Sequence, residues 1–110
     1  MIKTKAISAG PLSAFPVGSR RSLETEIGWI ALYNVDGQIY ATEDSCPHAG
    51  GPLGEGTLTG DCIACPWHGW RFNVRTGVRV ENADFRVACF PVKIEQGEII
   101  VELPLERPSV

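Results

Sequence analysis

The sequence predicts an all-β domain: an antiparallel β-sandwich or barrel that carries two long loops near its middle. Three observations predict it. The chain of 110 residues suits one domain, and its 12 glycines and 8 prolines suit a turn-rich β structure. No window of 11 residues shows the apolar stripe of an amphipathic helix. Hydrophobic residues make up 44% of the chain, enough for one core.

Strands are predicted from the first residues onward. We expect a strand over Lys3–Ile7, a proline-containing loop over Gly10–Gly18, and an edge strand over Arg20–Ile27. Three hairpins follow, because β-rich runs flank short turns that contain glycine. Their paired runs are Trp29–Asn34 with Gln38–Thr42, Arg71–Val74 with Val78–Glu81, and Val87–Glu95 with Glu98–Leu103. The last segment, Leu103–Val110, is predicted to be a loose tail.

Two glycine-rich loops interrupt this pattern. The first is DSCPHAGGPLGEGT over residues 44–57, and the second is GDCIACPWHGW over residues 60–70. Each carries a cysteine close to one of the chain's two histidines. Cys46 and His48 form C-x-H, and Cys65 and His68 form C-x-x-H. Thiolate and imidazole suit iron–sulfur centres or zinc.

Three chemistries fit these loops. One is a Rieske [2Fe–2S] cluster with two cysteine and two histidine ligands. Another is a zinc site, in which Cys46, Cys62, Cys65 and one histidine would be the ligands. The third is a thioredoxin-like redox pair at Cys62 and Cys65, although the βαβ context of that motif is missing.

The segment CPHAGGPLGEG…CPWHGWRFNVRTG closely resembles the Rieske-type ferredoxins, and the resemblance covers nearly the whole chain. It implies that Cys46 and Cys65 bind one iron of a single [2Fe–2S] cluster and that His48 and His68 bind the other. It also implies one Rieske domain over residues 1–110, with a cluster-binding subdomain at about 44–72.

The resemblance also implies a low reduction potential. Respiratory Rieske proteins join their loops by a disulfide at positions that correspond to Gly51 and Trp67, where none can form. Their serine and tyrosine hydroxyls near the cluster correspond to Trp70 and Phe72, which have no hydroxyl. Fewer hydrogen bonds to sulfur disfavour the reduced state, so we expect a value near the low end, roughly −150 mV.

An electron carrier is the function that these features favour. Rieske oxygenases need a second iron bound by two histidines and a carboxylate, but both histidines here are assigned to the cluster. The chain also lacks a G-x-G-x-x-G fingerprint. The resemblance implies a non-enzymatic component that passes electrons from a flavoprotein or ferredoxin reductase to a terminal, aromatic-ring-hydroxylating oxygenase. The alternatives are the small subunit of an NAD(P)H nitrite reductase, working with its large subunit, and a zinc-stabilised binding module.

Composition limits the location and the other partners. The net charge of −3 gives no basic footprint for nucleic acid. No secretory signal or membrane span is evident, so we expect a cytoplasmic protein with reduced thiols. Cys62 and Cys89 match no ligand of the family and are expected to be buried small hydrophobic residues.

Several residues around the loops have two interpretations. Leu53 is expected either to cap the cluster or to belong to a small core, and residues 82–86 to form a third loop over the cluster. Trp67 or Trp70 is expected at a docking face, although a core position suits Trp70 equally well. The arginines spaced along the second hairpin are expected either to be solvated or to pair with an acidic partner. They are Arg71, Arg75 and Arg79.

Overall fold

The computed structural model describes residues 4–47, 50–67 and 69–104, which form three antiparallel sheets. The strands are β1 Thr4–Pro11, β2 Arg20–Thr25, β3 Gly28–Val35, β4 Gln38–Glu43, β5 Thr57–Thr59, β6 Cys62–Ala64, β7 Arg71–Asn73, β8 Cys89–Phe90, β9 Val92–Glu95 and β10 Glu98–Pro104. Leu12–Ala14 and Leu53–Glu55 are short 3₁₀ turns. The strand orders are β1-β10-β9, β2-β3-β4-β8 and β5-β6-β7. The predicted all-β class is confirmed.

The first predicted hairpin is present as β3 and β4. Val35 pairs with Gln38, and the two residues between them have positive φ, 52° at Asp36 and 93° at Gly37. A two-residue turn with both φ angles positive matches the right-handed twist of the flanking strands. The Asp-Gly pair is therefore what closes this hairpin. As predicted, β2 lies at the edge of the same sheet.

The predicted strand Val87–Glu95 is wrong as a single element, because Pro91 divides it. Proline has no N–H to donate to a ladder, so it ends one pairing and allows the chain to change sheet. Before it, Phe90 of β8 pairs with Ala41 of β4. After it, β9 pairs with β10. The predicted return strand over residues 78–81 is likewise reduced to isolated bridges, one of which joins Phe72 to Arg79.

One hairpin, formed by β5 and β6 where the two loop segments adjoin, was not predicted from the sequence. Leu58 pairs with Ile63, and Gly60, with φ 61°, lies in the turn. The alternation of Thr57, Leu58 and Thr59 was the available signal, but the run is short and lies among glycines. β6 then pairs with β7, so the second loop projects from a small sheet of its own. At the amino end, β1 also runs further than predicted, as far as Pro11.

Two cores pack on opposite faces of β3. Alternate residues of that strand face opposite sides, so Ile30 and Leu32 enter one core while Ala31 and Tyr33 enter the other. The scaffold core comprises Ala9, Phe15, Ile30, Leu32, Ala41, Phe90, Ile99, Val101 and Leu103. The loop-side core comprises Ala31, Tyr33, Val35, Cys46, Leu53, Ile63, Cys65, Phe72, Val74 and Val87.

Within the described ranges, no helix is long and apolar enough to span a membrane.

Candidate metal centre

The first loop is closed by hydrogen bonds on both sides of Cys46. Its N–H donates to the Gly51 carbonyl at 2.9 Å, and its carbonyl accepts from the Gly50 N–H at 2.7 Å. Gly50 has φ 74°, a left-handed conformation that glycine adopts without steric cost. The backbone therefore turns back within five residues and holds the cysteine at its start.

The second loop repeats this design. The Cys65 N–H donates to the Trp70 carbonyl at 2.7 Å, and the Cys65 carbonyl accepts from the Gly69 N–H at 3.1 Å. Gly69 has φ 73°, almost the same as its counterpart in the first loop. Each loop thus begins at a Cys-Pro pair and is closed by a glycine four residues after the cysteine.

The cysteines of the two loops are buried together. Cys46 is 2% exposed and Cys65 is 3% exposed, and both side chains belong to the loop-side core. Burial raises the pKa of the Cys65 thiol, the neighbouring Cys46 adds to the rise, and the Trp67 backbone N–H opposes it. That N–H donates to the Cys65 sulfur, which is the kind of contact that favours a thiolate.

Gly51 leaves no space between the loops for a side chain. A Cβ placed there would lie 2.6 Å from Cys65 Sγ and 3.1 Å from Cγ of Trp67. The first loop therefore contacts the sulfur of the second directly. Any larger residue at Gly51 would push the two loops apart.

The donor set fits a metal centre of the predicted kind. Two thiolates at about 2.3 Å from one tetrahedral metal lie about 3.8 Å apart, so ligand sulfurs must be neighbours, as those of Cys46 and Cys65 are. His48 and His68, the other two predicted ligands, lie outside the described residues. Among the residues that are described, no group of three or more His, Cys, Asp or Glu side chains could hold a metal ion.

Asp44 anchors the first loop, a role that was not predicted from the sequence. Its buried carboxylate accepts from the Ser22 hydroxyl and from the Gly54 N–H, both at 2.8 Å. Its carbonyl accepts from the Leu53 N–H at 2.7 Å. An acidic residue at a strand end, two residues before a candidate ligand, was the signal available. Leu53 itself is fully buried beside the cysteines in the loop-side core.

The two remaining cysteines are less buried than expected. Cys89 is exposed and Cys62 is only partly buried, so the prediction that both are buried small hydrophobic residues is wrong. Cys62 lies on β6, where its thiol donates to Asp61 at 3.5 Å. Burial and this carboxylate raise the pKa of the Cys62 thiol. Both thiols are free, and neither belongs to the cysteine pair of the loops.

Comparison with known proteins identifies the class. Residues 5–91 match the family described as the Rieske [2Fe-2S] domain. Over 100 residues the chain is 36% identical to the ferredoxin component of the naphthalene 1,2-dioxygenase system of Pseudomonas aeruginosa, covering 90% of this chain and 96% of the relative. This chain therefore belongs to the Rieske [2Fe-2S] domain family, whose cofactor is one Rieske-type cluster.

Solved structures carry the likeness further. The chain resembles a chain of the complex of reduced oxygenase and oxidized ferredoxin in carbazole 1,9a-dioxygenase, with a TM-score of 0.81 and 37% identity over 86% of this chain and 99% of that one. It also shares its fold with a nitrite reductase small subunit described as putative and NADH-dependent, from Mycobacterium tuberculosis. There the TM-score is 0.83 and the identity 19%, over 98% and 99% of the two chains. The protein is a Rieske-type ferredoxin, an electron carrier and not itself a catalytic enzyme.

Proposed function

We propose that this ferredoxin passes single electrons from a flavoprotein or ferredoxin reductase to a terminal oxygenase of the aromatic-ring-hydroxylating type. The proposed ligands are Cys46 and Cys65 on one iron and His48 and His68 on the other. The observation that carries the ligand proposal is that the two cysteines, each at the start of one of two matching loops, are buried in the same core. The relatives named as ferredoxins of oxygenase systems supply the proposed partners.

The residues of the chain have separate tasks in this function. When bound, the cluster accepts one electron and releases it again. The loop-side core excludes water from the cysteine sulfurs, which are at most 3% exposed. The Trp67 backbone N–H favours the thiolate form of Cys65, and the Trp67 residue is 52% exposed. An exposed aromatic ring next to the proposed ligand His68 suits a small, transient docking contact.

The low potential proposed from the sequence agrees with the surroundings of the second loop. Phe72 is fully buried in the loop-side core and brings only hydrocarbon to it. The indole of Trp70 packs at the edge of the same core. Without a hydroxyl at either position, we expect a midpoint potential of roughly −150 mV. A redox titration measures it, and a value above about 0 mV would contradict this part of the proposal.

Purified protein tests the cofactor and its ligands directly. We expect visible charge-transfer bands and, after reduction, the EPR signal of a cluster with mixed cysteine and histidine ligation. His48→Ala and His68→Ala should each abolish both signals, because each removes one of the two imidazole ligands of the same iron. A colourless protein that contains zinc would instead identify the zinc-stabilised module.

Rapid-mixing kinetics test the partners. The reduced ferredoxin should be reoxidised by a terminal oxygenase within one turnover and re-reduced by a flavoprotein reductase. The nitrite reductase alternative is supported by the resemblance of the segment Cys46–Leu53 and by a likeness of fold at 19% identity. Reoxidation by a nitrite reductase large subunit, with none by a ring-hydroxylating oxygenase, would favour that alternative.

We further propose that residues 1–110 act as a single domain and work in the cytoplasm. Contacts between β1 and β10 tie the two ends of the chain together, which supports one folding unit. The free thiols of Cys62 and Cys89 suit a reducing compartment. Limited proteolysis that yields a stable fragment would argue against one domain, and recovery outside the cytosolic fraction would argue against the location.

A further inference from the structure

Arg79 lies in an aromatic cluster beside the second loop. Its guanidinium carbon lies 3.4 Å from the ring centroid of Trp70 and 5.8 Å from that of Phe85. The two rings meet edge to face, with centroids 4.9 Å apart and an interplanar angle of 64°. The Arg79 side chain is only 16% exposed. A cation over an aromatic face gains more when it is removed from water.

Glu81 fixes the guanidinium in this position. Its Oε1 accepts from Arg79 Nε at 3.1 Å, and its Oε2 accepts from Arg71 Nε at 2.6 Å. The Arg71 backbone N–H also donates to Oε1 at 3.2 Å. These contacts, with Arg71 as the largest cause, lower the pKa of Glu81 to about 2. The carboxylate is therefore ionised at neutral pH and holds the arginine by charge-assisted bonds.

Trp70 links this cluster to the cysteine. The carbonyl of Trp70 accepts the N–H of Cys65, the bond that closes the second loop. Two further backbone hydrogen bonds hold the segment that carries Arg79. The Val80 N–H donates to the Arg71 carbonyl of β7 at 2.8 Å, and the Arg79 N–H donates to the Phe85 carbonyl at 2.9 Å. Because Arg79 and Phe85 both contact the Trp70 ring, they also restrain the Trp70 backbone, whose carbonyl accepts the Cys65 N–H.

We infer that Arg79 is a positioning residue for electron transfer, holding the second loop closed around Cys65 through its stack on Trp70. The inference rests on the proposed function, since it assumes that the second loop supplies ligands. Arg79 contacts Trp70, Phe85 and Glu81, and it acts on the loop through Trp70. Without the stack, Trp70 keeps its contacts with Phe85 and the loop-side core but loses the cation over its ring, so the loop around the sulfur is held less firmly.

Arg75 provides a matched control on the same segment of chain. It also lies over a ring, 5.3 Å from the centroid of Tyr40, and it pairs with Asp61 at 3.2 Å. Its side chain is 46% exposed, and its partners are Tyr40 on β4 and Asp61 in the β5–β6 turn, outside the Cys65–Trp70 part of the second loop. Arg75→Met thus removes the same charge and the same kind of contact as Arg79→Met, but leaves Trp70 in place.

Hydrogen exchange of the iron-loaded protein tests the inference. In Arg79→Met we expect exchange of the segment 62–70 to rise about tenfold, as loss of a largely desolvated cation–π contact implies. Arg75→Met should leave that segment unchanged. We also expect a broader EPR spectrum and faster cluster loss in Arg79→Met alone. Equal exchange and equal spectra in the two variants would overturn the inference.

A second variant covers the case in which Arg79→Met does not fold. Arg79→Lys keeps the charge but loses the planar guanidinium that stacks on Trp70 and bonds Glu81. Hydrogen exchange of the segment 62–70 should then be faster than in the wild type. If Arg79→Met also folds, exchange in Arg79→Lys should be slower than in that variant. Exchange of Arg79→Lys equal to wild type would overturn the inference. Absence of a Rieske spectrum in the wild type would instead overturn the proposed function.

Discussion

The loop-side core and the scaffold core share β3 as a wall but differ in what fills them. The scaffold core is hydrocarbon, most of it supplied by strands. The loop-side core includes the two sulfurs of Cys46 and Cys65, together with Leu53 from a 3₁₀ turn. Metal binding by folded-state ligands adds to folding free energy. The comparison therefore separates a core stabilised by its own packing from one that contains two proposed cluster ligands, whose stability we expect to depend on the cluster.

Removing a sulfur from the loop-side core should have the largest effect. We expect Cys65→Ser to abolish the visible absorption and the EPR signal, because a hydroxyl is a poor substitute for thiolate toward iron. Cys62→Ser, three residues earlier and outside the pair, should retain both signals. Iron content and the absorption spectrum measure the outcome. Full cluster content in Cys65→Ser would remove this sulfur from the proposed ligand set.

Equal truncations in the two cores should separate stability from redox properties. Leu53 and Ile99 are 0% and 1% exposed, so Leu53→Ala and Ile99→Ala should each cost about 2–5 kcal/mol of unfolding free energy. Only Leu53→Ala should also shift the midpoint potential, since its cavity opens beside the cysteines. Chemical denaturation and redox titration measure the two effects. An equal shift of potential in both variants would show that the cores are not separate.

The same division explains what the sequence could predict. The Asp-Gly hairpin and the cysteine pair depend on local residues, namely a turn that accepts positive φ and ligands at fixed spacing. The break at Pro91 depends on which sheet each half of the strand joins, and no local pattern shows that. The exposure of Cys89 and the role of Asp44 likewise depend on neighbours distant in sequence, such as Ser22. The positions of His48 and His68 stay predictions.

Close packing between the loops gives a smaller but sharper test. We expect Gly51→Ala to cost about 1–3 kcal/mol, because the new methyl would lie 2.6 Å from Cys65 Sγ. The variant should also lose cluster faster. Gly97→Ala is the control. Gly97 lies in the turn between β9 and β10, its φ is 79°, and nothing lies within 4 Å of the added Cβ. It should cost about 1–2 kcal/mol through backbone strain alone, with no change in cluster loss.

The smallest expected difference between the loop-side and scaffold parts of the molecule is in how much their ion pairs stabilise the fold. This difference should depend on pH. The Glu81 pKa is lowered from 4.5 to about 2 by Arg71 first and also by Arg79. A carboxylate with a lowered pKa in the folded state stabilises the protein above its unfolded pKa, and this contribution is lost as the pH falls through the folded pKa. Glu81→Gln should therefore lower the Tm by a few degrees at pH 7.

That difference should narrow as the pH falls from about 4.5 towards 2, because wild-type Glu81 then becomes neutral as well. Glu95→Gln, at the end of β9, is the control. Its partner Lys93 is 2.9 Å away, but both side chains are more than half exposed, so we expect almost no change of Tm at any pH. Thermal unfolding across this pH series measures both variants. If the Tm of Glu81→Gln stays below that of the wild type by the same amount down to pH 2, packing and not charge accounts for the contribution of Glu81. The loop-side part of the molecule would then resemble the scaffold part in being stabilised by packing alone.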